Sequence, residues 1–407
     1  IESGAEVDSI YCDFEKCFDK VDFGVLLEKL KSKGIVVKAL SWFKNFLTTR
    51  TFRVRVGHEL SDVVEVISGL PQGTVTGPVL LLVINSDLDK AIKNSKSGSF
   101  ADDSKMYRAI KCDGDVKLLQ EDLDGVQNWA KENNMKLNED KFVLVTFNKN
   151  PEIKSEYTLK NGCKVVNSVT TRDLGVVISN DAKFTAHISK VTSDCRKLMG
   201  MIFRTFKTRR DDIMMSLYKS LILSKIDYCS VLYSPSNISD LRQLEKLQAN
   251  FPMRMECAKT LDGNRRDYWE RLECLGLYSI ERRFERYIVI FVWKVLNGIV
   301  YNPGLKFSRK DARTGVTCEV PKISGKLREV SFRVRGPKLF NSLPKDVRNI
   351  EFDEFVSPEQ NVNNFKQQLD KYLKKIKDQP NVNSNYTKYI ENINVHTGER
   401  TNSILYV

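Results

Sequence analysis

The sequence predicts an α+β fold, in which strands and helices mix in the N-terminal part and helices dominate the rest. Two patterns support this: apolar residues alternate with polar ones in several short N-terminal segments, and they recur at helical spacing in most segments after residue 183. The 407 residues are enough for two or three domains, and a composition of 41% hydrophobic and 29% charged residues is ordinary for a globular protein.

The segment VDSIYCDF predicts the first strand. Ile10, Cys12 and Phe14 alternate with Tyr11 and Asp13, and this alternation is typical of a strand that is buried on one face. Asp13 is therefore expected on the face opposite the apolar residues.

Turn signals and periodicity predict the next N-terminal elements. The loop ISGLPQGTVTGP leads into a helix that begins near Gly77–Pro78, since proline fits the first turn of a helix. Apolar spacing predicts an amphipathic helix over residues 117–134, and FVLVTF (142–147) predicts a buried strand. Asn161–Gly162 predicts a type I′ turn within a hairpin over residues 156–178.

Helices are predicted for most of the remaining chain. Apolar stripes indicate helices around residues 213–226, 239–257 and 279–297, and a last helix around 362–377. Residues 301–345 are rich in Gly, Pro, Lys and Arg, and are expected to be loop.

The chain is basic. Its 65 Lys and Arg against 52 Asp and Glu give a net charge of +13, which favours a polyanionic partner, either nucleic acid or an anionic membrane surface. Its apolar runs are too short to span a membrane, and no signal peptide is visible. Nine cysteines without a C-x-x-C pair, and three histidines, favour reduced thiols over a disulfide framework or a zinc site. The expected location is intracellular.

Two adjacent aspartates, Asp102 and Asp103, stand in the segment GSFADDSKMYRA. Like charges side by side repel unless a cation neutralises them, and hard oxygen ligands without His or thiolate suit Mg²⁺ or Mn²⁺. Alone, an Asp-Asp pair also fits a solvated turn. Asp13 adds a carboxylate from a separate strand, as two-metal phosphoryl transfer requires.

Three blocks in this order, YCDFEKCFDKVD, SGLPQGTVTGP and FADDSKMY, resemble the palm of reverse transcriptases from non-LTR (LINE-type) retrotransposons of the jockey kind. The resemblance continues through LLQEDLDGVQNWAKENNMKLNEDK and RDLGVVISNDAKFTAHI, to about residue 377. It implies a polymerase palm, an antiparallel sheet with flanking helices, followed by a helical thumb and a helical C-terminal region.

The resemblance also implies an order of regions along the chain. These are the palm with its catalytic motifs (1–150), a palm hairpin and thumb (151–236), a helical C-terminal region (237–345), a terminal helix (346–379) and a disordered, Asn-rich tail (380–407). The sequence begins a few residues before the first catalytic strand, so the fingers and endonuclease of the family are expected to be missing.

Catalytic roles follow from the resemblance residue by residue. Asp13 and Asp102 match the two catalytic aspartates that ligate the metals, and Asp103 matches the third acidic residue of the metal site. Lys141 matches the lysine proposed to neutralise or protonate the leaving pyrophosphate, although a solvated surface lysine is the alternative interpretation.

Substrate contacts follow in the same way. Phe14 matches a position whose backbone contacts metal and triphosphate, and Phe18 matches the aromatic gate that selects deoxynucleotides. Gln72 and Gly73 match the loop that touches the incoming nucleotide and the template. Core packing is the alternative for Phe18, and turn formation is the alternative for Gly73.

The implied function is RNA-directed DNA polymerisation, in which a primer 3′-hydroxyl attacks a deoxynucleotide α-phosphate under two Mg²⁺ ions. The implied partners are an RNA template, a DNA primer and deoxynucleotides, without a membrane, in the cytoplasm and nucleus. One alternative is a catalytically incomplete, nucleic-acid-binding remnant. Another is a different palm enzyme, such as a cyclase or primase, against which the SGLPQG block counts.

Overall fold

The structure, a computed structural model, describes most of the chain, namely residues 6–148, 153, 155–235, 237–301, 309–312, 315–323, 325–376 and 378. The chain divides into two compact units, residues 3–183 and residues 184–407. Strands and helices mix in the first unit and helices dominate the second, as the sequence predicts. The predicted disordered tail lies outside the described residues.

The first unit contains eleven of the described strands. They are β1 (Glu6–Cys12), β2 (Thr51–Phe52), β3 (Arg55–Val56), β4 (Glu59–Leu60), β5 (Val64–Glu65), β6 (Lys96–Phe100), β7 (Asp103–Ile110), β8 (Val143–Phe147), β9 (Val166–Asn167), β10 (Thr170–Asp173) and β11 (Val176–Ser179). Its helices are α1 (Phe23–Ser32), α2 (Val37–Thr48), α3 (Thr76–Asn85) and α4 (Asp113–Glu132).

A five-stranded sheet with the order β6-β7-β1-β8-β9 forms the centre of this unit. Its pairs are antiparallel except β8 with β9. β1 lies in the middle, where Ile10 is fully buried and the buried Asp8 carboxylate accepts hydrogen bonds from Thr146 and Tyr157, at 2.7 Å each. The other strands of the unit form two-stranded pairs, β2 with β5, β3 with β4 and β10 with β11.

Helices cover the sheet because their apolar faces supply its core. Leu119, Leu123 and Val126 of α4 are buried with Leu26 of α1 and Leu80 of α3 in one hydrophobic cluster. The predicted strand at 7–14, the helix near Gly77–Pro78, the helix at 117–134 and the strand at 142–147 are confirmed as β1, α3, α4 and β8.

A hairpin forms around Asn161–Gly162, but it spans residues 157–165 and not 156–178, and the prediction of its turn type is wrong. The Gly162 N–H donates to the Leu159 carbonyl at 2.8 Å, and Gly162 has a φ of 86° whereas Asn161 is not in the positive-φ region. A type I′ turn needs positive φ at both central residues. Two successive residues do meet this condition between β10 and β11, Leu174 at 45° and Gly175 at 84°.

Eleven helices and two strands are described in the second unit. The helices are α5 (Thr185–Thr205), α6 (Asp211–Leu217), α7 (Ser224–Asp227), α8 (Ser230–Tyr233), α9 (Ile238–Asn250), α10 (Tyr268–Leu275), α11 (Ile280–Leu296), α12 (Lys326–Val330), α13 (Phe332–Ser342), α14 (Lys345–Arg348) and α15 (Pro358–Leu373). The strands β12 (Arg309–Ala312) and β13 (Gly315–Cys318) form an antiparallel pair.

Four helix predictions in this unit hold with changes at their ends or interior. The helix predicted at 279–297 is confirmed as α11, and the last helix is confirmed as α15, four residues earlier than predicted. The helix predicted at 213–226 is interrupted by a π-helical turn, Tyr218–Leu223, between α6 and α7. The helix predicted to reach residue 257 ends at Asn250, because Pro252 cannot continue it.

The prediction of a loop over residues 301–345 is wrong where the β12–β13 pair and the helices α12 and α13 form. α13 contains Gly336 and Pro337, the residues that favour a loop in the sequence. Burial overrides this local preference, because Val334, Leu339 and Phe340 of α13 are fully buried.

Two half-buried carboxylates of the second unit, Asp227 and Asp370, are paired with arginines. Asp227 accepts two hydrogen bonds from the Arg283 guanidinium, at 2.7 and 2.5 Å, and one from the Tyr287 hydroxyl at 2.9 Å. Asp370 accepts two from Arg286, at 2.6 and 2.7 Å. Two parallel hydrogen bonds between an arginine and a carboxylate neutralise both charges, and they also fix the orientation of the two side chains on the helices that carry them. Among the described residues, no helix is long and apolar enough to cross a membrane.

Candidate active site

The two acidic segments meet at one end of the central sheet. The antiparallel register pairs Tyr11 with Lys105 and Cys12 with Ser104. One residue beyond that last pair lie Asp13 on the β1 side and Asp103, the first residue of β7. Because side chains alternate between faces along a strand, Asp13 and Asp103 belong to the same face as Tyr11 and Lys105.

A tight turn presents the adjacent aspartates. Phe100 pairs with Asp103 across β6 and β7, so Ala101 and Asp102 alone form the loop of the hairpin. Ala101 has a φ of 55°, in the left-handed region that costs an L-residue about 1–2 kcal/mol. The Asn85 side-chain amide donates to the Ala101 carbonyl at 3.0 Å and supports this conformation.

The chain after β1 continues along a second segment and brings a lysine to Asp13. The Asn138 N–H donates to the Asp13 carbonyl at 2.9 Å, and Phe14 pairs with Leu137 in an antiparallel bridge. A short 3₁₀ turn, Glu139–Lys141, follows. The Lys141 ammonium then donates to the Asp13 carboxylate at 3.0 Å. Asp13 and Lys141, 128 residues apart, are thus in direct contact.

A cavity of about 380 Å³ opens on this face of the sheet. Its lining includes Asp13, Asp103 and Lys141 together with Lys105 and residues of the β10–β11 hairpin. The remaining lining residues are Tyr11, Cys12, Gly98, Ser99, Phe100, Ser104, Val143, Thr171, Arg172, Asp173 and Leu174. The cavity therefore combines carboxylates and cations on walls that four separate segments supply.

The two adjacent aspartates, Asp102 and Asp103, carry negative charge that the cations of this region offset only in part. Partial burial and the charges of Asp102, Asp13 and Asp173 raise the pKa of Asp103, and Lys141 opposes this increase only in part. Among the described residues, neither the Asp102 nor the Asp103 carboxylate has an ion-pair partner. Burial and the charges of Asp102 and Asp13 also raise the pKa of the Cys17 thiol to about 12.

The chemistry of these donors fits a hard divalent cation. No three His, Cys, Asp or Glu side chains in the described part of the chain form a group that could hold an ion by themselves. Mg²⁺, however, is commonly bound by one or two carboxylates, with water and substrate phosphates as its other ligands. Asp13 and Asp103 line one cavity, and the Asp103 carboxylate has no ion-pair partner among the described residues, so the two carboxylates meet that requirement.

The predicted substrate residues lie outside the lining of this cavity. Phe14 is buried, and its ring packs edge-to-face against Trp129 with 5.9 Å between ring centroids. Phe18 is half-buried and packs against the core of the first unit. The core-packing alternative thus accounts for part of the Phe18 surface, while its proposed role as a gate stays a prediction.

The loop that contains Gln72 and Gly73 docks on the turn that contains Phe18. The Leu70 N–H donates to the Phe18 carbonyl at 2.7 Å, and the Gln72 side chain donates to the Asp19 carboxylate at 2.7 Å. Gly73 has a φ of 77°, which favours glycine over any residue with a side chain. In the structure, the turn that contains Phe18 therefore contacts the loop that contains Gln72, whereas Asp13 contacts Lys141.

Sequence reasoning missed three residues of the cavity. Lys105 forms an ion pair with Asp173 of β10, and its ammonium lies 5.9 Å from the centre of the Tyr11 ring. Burial, followed by the negative charge of Asp173, raises the pKa of Tyr11 to about 12. Tyr11 could have been found from its position two residues before Asp13. Asp173 carried no such signal, because a non-local contact brings β10 to the cavity.

The chain is similar in sequence to known RNA-directed DNA polymerases. Residues 9–203 match the family model described as reverse transcriptase (RNA-dependent DNA polymerase). The chain is 26% identical over 250 residues to the RNA-directed DNA polymerase from mobile element jockey of Drosophila melanogaster, covering 59% of this chain and 27% of that protein. It is 22% identical over 254 residues to the probable RNA-directed DNA polymerase from transposon X-element of the same species, with the same two coverages.

The chain thus spans about a quarter of the length of the curated relatives that it matches. Among solved structures, it is similar to telomerase from Candida tropicalis in complex with a TWJ fragment of telomeric RNA. That similarity has a TM-score of 0.38 and 12% identity, and it covers 90% of this chain and 49% of the telomerase chain. A TM-score this low adds nothing to the assignment, which depends on the sequence matches. Residues 9–203 match the reverse transcriptase family, and the chain is similar to the RNA-directed DNA polymerases of jockey and related mobile elements.

Proposed function

We propose that this chain catalyses RNA-directed DNA synthesis at the cavity between β1, β7 and the β10–β11 hairpin. The observation that carries the proposal is the meeting of Asp13 and Asp103 on adjacent central strands, beside Lys141, within a reverse transcriptase domain. Its substrates are an RNA template, a DNA primer and deoxynucleotides. The positive net charge of +13 suits these polyanions.

In this proposal Asp13 and Asp102 hold the divalent cations and Asp103 is the supporting carboxylate. Asp102 lies in the turn next to Asp103 and is not among the residues that line the cavity. When bound, Mg²⁺ (or Mn²⁺) lowers the pKa of the primer 3′-hydroxyl and neutralises charge on the phosphates. The strained turn at Ala101 holds the two adjacent carboxylates in place before substrate arrives. Burial and the charge of Asp102 both raise the pKa of Asp103, and the repulsion between the two carboxylates favours cation binding.

Lys141 serves the leaving pyrophosphate in this proposal. Its ammonium contacts Asp13 and remains 63% exposed, so it is close to the reacting phosphates and free to turn toward them. A cation at this position stabilises the charge that develops on the leaving group, and it can also donate a proton to it.

The remaining assignments follow the same family pattern. The first unit supplies the palm, with the sheet as its base, and the long helix α5 begins the thumb. The Phe14 backbone contacts metal and triphosphate, Phe18 forms the gate against a ribose 2′-hydroxyl, and the loop of Gln72 and Gly73 contacts the nucleotide and template.

Primer extension on an RNA template, with Mg²⁺ and deoxynucleotides, tests the proposal. The chain is expected to extend the primer, and Asp102→Ala is expected to abolish extension. Asp62→Ala is the matched control, because it removes an exposed carboxylate between β4 and β5 in the same unit. Extension that survives in Asp102→Ala would contradict the proposal.

A second candidate function is that of a catalytically incomplete remnant that binds nucleic acid. It is favoured by the lack of a three-ligand group among the described residues. This alternative predicts binding of an RNA–DNA duplex without extension in either Mg²⁺ or Mn²⁺. Metal-dependent extension by the full chain would exclude it.

A further inference from the structure

The C-terminal half of α5 and the turn that follows it carry the densest positive charge of the second unit. Residues 196–210, RKLMGMIFRTFKTRR, contain six Lys and Arg residues and no Asp or Glu. Apolar residues interrupt this run at helical spacing. The segment therefore combines a basic surface with an apolar one, and such a combination is typical of nucleic-acid contacts.

A second cavity, of about 440 Å³, lies against this basic helix. One wall consists of α5 residues that share a helix face at spacings of three and four, namely Arg196, Met199, Gly200 and Phe203. The other wall consists of Asn250 at the end of α9 and of Met253 and Arg254 just after it. This cavity belongs entirely to the second unit.

An arginine stacked on an aromatic ring forms the floor of this cavity. The Arg254 guanidinium carbon lies 4.8 Å from the centre of the Phe203 ring, and that of Arg209 lies 5.3 Å from it. Arg209 is tied to the backbone by its hydrogen bonds to nearby carbonyls, including that of Phe203 at 3.2 Å. Arg254 is exposed, so the face of its planar guanidinium that points away from the ring is open to a ligand.

The cations of this cavity also lack protein counter-charges. Within the part of the chain that the structure describes, neither Arg196 nor Arg254 has a carboxylate within ion-pair distance. Their neighbours Lys197 and Arg210 do have such partners, Asp194 at 4.0 Å and Asp212 at 2.8 Å. The two arginines at the cavity are therefore available for an anion.

We propose that this cavity binds an unpaired nucleotide of single-stranded RNA, with its base against the Arg254–Phe203 stack and its phosphate at Arg196. A planar base suits the exposed guanidinium face, a phosphodiester suits the unpaired cation, and the Asn250 amide offers both a donor and an acceptor to base edges or to the 2′-hydroxyl. The choice of RNA over DNA rests on the proposed function, which brings an RNA strand to the chain.

Equilibrium binding of a labelled single-stranded RNA, compared with an RNA–DNA duplex and a single-stranded DNA of the same sequence, tests this proposal with the full chain. Arg254→Ala is expected to weaken single-stranded RNA binding roughly tenfold, as the loss of one stacked base does. Arg196→Ala is expected to reduce the slope of log K against log salt by about 0.7, which corresponds to one phosphate contact. Duplex binding should change little in both variants.

Gly200→Leu tests the cavity without changing charge. A Cβ at Gly200 meets nothing within 4 Å, and leucine favours a helix more than glycine does, so the variant fills the cavity in a folded chain. It should weaken single-stranded RNA binding roughly tenfold and leave the salt slope unchanged.

Lys197→Ala and Ser193→Leu are the matched controls on α5, since neither residue lines the cavity. Both should bind within about twofold of the parent chain, because exposed charges are screened and add little each.

Equal losses in the controls and in the cavity variants would overturn the site, because general charge or helix damage would then explain binding. Equal losses for single-stranded DNA would overturn the choice of RNA. These experiments measure RNA binding and not primer extension, so the proposed RNA-binding cavity and the proposed polymerase activity can fail separately. A chain that loses RNA binding in Arg254→Ala but never extends a primer would support the cavity and contradict the polymerase.

Discussion

Two pairs of aspartates, one pair in each unit of this chain, differ in whether cations neutralise them. In the second unit, Asp227 and Asp370 each accept two hydrogen bonds from one arginine. In the first unit, Asp102 and Asp103 sit side by side, and neither has an ion-pair partner among the described residues. The carboxylates that link helices are satisfied within the protein, whereas the two adjacent aspartates of the proposed cation site are left without ion-pair partners among the described residues.

This difference separates structural carboxylates from candidate functional ones without reference to conservation. A paired carboxylate should affect stability and leave chemistry alone, since its interactions are all within the fold. An uncompensated carboxylate should affect chemistry and leave stability alone, or even reduce it. The following substitutions are ways to break or sharpen that distinction.

The largest expected effect on stability is that of Asp227→Asn. The change removes the charge that holds Arg283 and Tyr287, and should lower the free energy of unfolding by about 2–3 kcal/mol. Chemical denaturation followed by circular dichroism measures this. Asp102→Asn, the same chemical change at an uncompensated site, should leave the free energy of unfolding within about 0.5 kcal/mol of the parent value. Similar losses in both variants would break the comparison.

The next effect concerns pH and the buried carboxyl of Glu245 in α9. Burial raises the pKa of Glu245 from its ordinary value of 4.5 to about 8, although hydrogen bonds from the Tyr268 hydroxyl and the Ile280 N–H oppose the increase. The folded chain therefore holds this proton more tightly than the unfolded chain does. Its contribution to stability is fully present below pH 4.5 and is lost as the pH rises to about 8.

Glu245→Gln keeps the shape of the side chain and removes the titration. Its free energy of unfolding should depend less on pH between about 4.5 and 8, where a single group contributes at most about 1.4 kcal/mol per pH unit. Denaturant titrations at several pH values measure the slope. An unchanged slope in the variant would show that Glu245 is ionised in the folded chain at neutral pH.

The smallest expected effect is that of Lys141→Gln. Its pair with Asp13 is a single contact at 3.0 Å with 63% of the lysine side chain exposed, so the free energy of unfolding should change by less than about 0.5 kcal/mol. Lys29→Gln is the contrasting variant. The Lys29 ammonium is 13% exposed and bonds both the Asp87 carboxylate and the Ile84 carbonyl at 2.6 Å, so its loss should cost about 1.5 kcal/mol. Thermal unfolding of Lys141→Gln and Lys29→Gln measures which variant loses more stability.

Local sequence signals predicted the first unit well where periodicity matched burial. The alternation around Ile10 and the apolar stripe of α4 both face the core, so both elements form where they were expected. The loop prediction for residues 326–342 was wrong because glycine and proline were given more weight than apolar residues that tertiary packing buries. Burial of this kind depends on distant partners, which a local pattern does not contain.

For the same reason, only part of the candidate site could be predicted from the sequence. The types and order of its carboxylates are visible in the sequence, so Asp13 and Asp103 could be expected to meet once two antiparallel strands were inferred. Asp173 enters the cavity through the β10–β11 hairpin, and no local pattern connects that hairpin to β7. The second cavity likewise brings together Phe203 and Arg254, which are 51 positions apart in the sequence.

The two-residue turn at Ala101 and Asp102 also limits which insertions and deletions the sequence can accept. The turn fixes how β6 pairs with β7, and side chains change faces with every residue along a strand. One residue gained or lost between Phe100 and Asp103 would change the register, and with it the direction in which the carboxylates point. A copy of this sequence with one codon inserted in frame at this turn would thus keep every aspartate and still lose the proposed arrangement of the site.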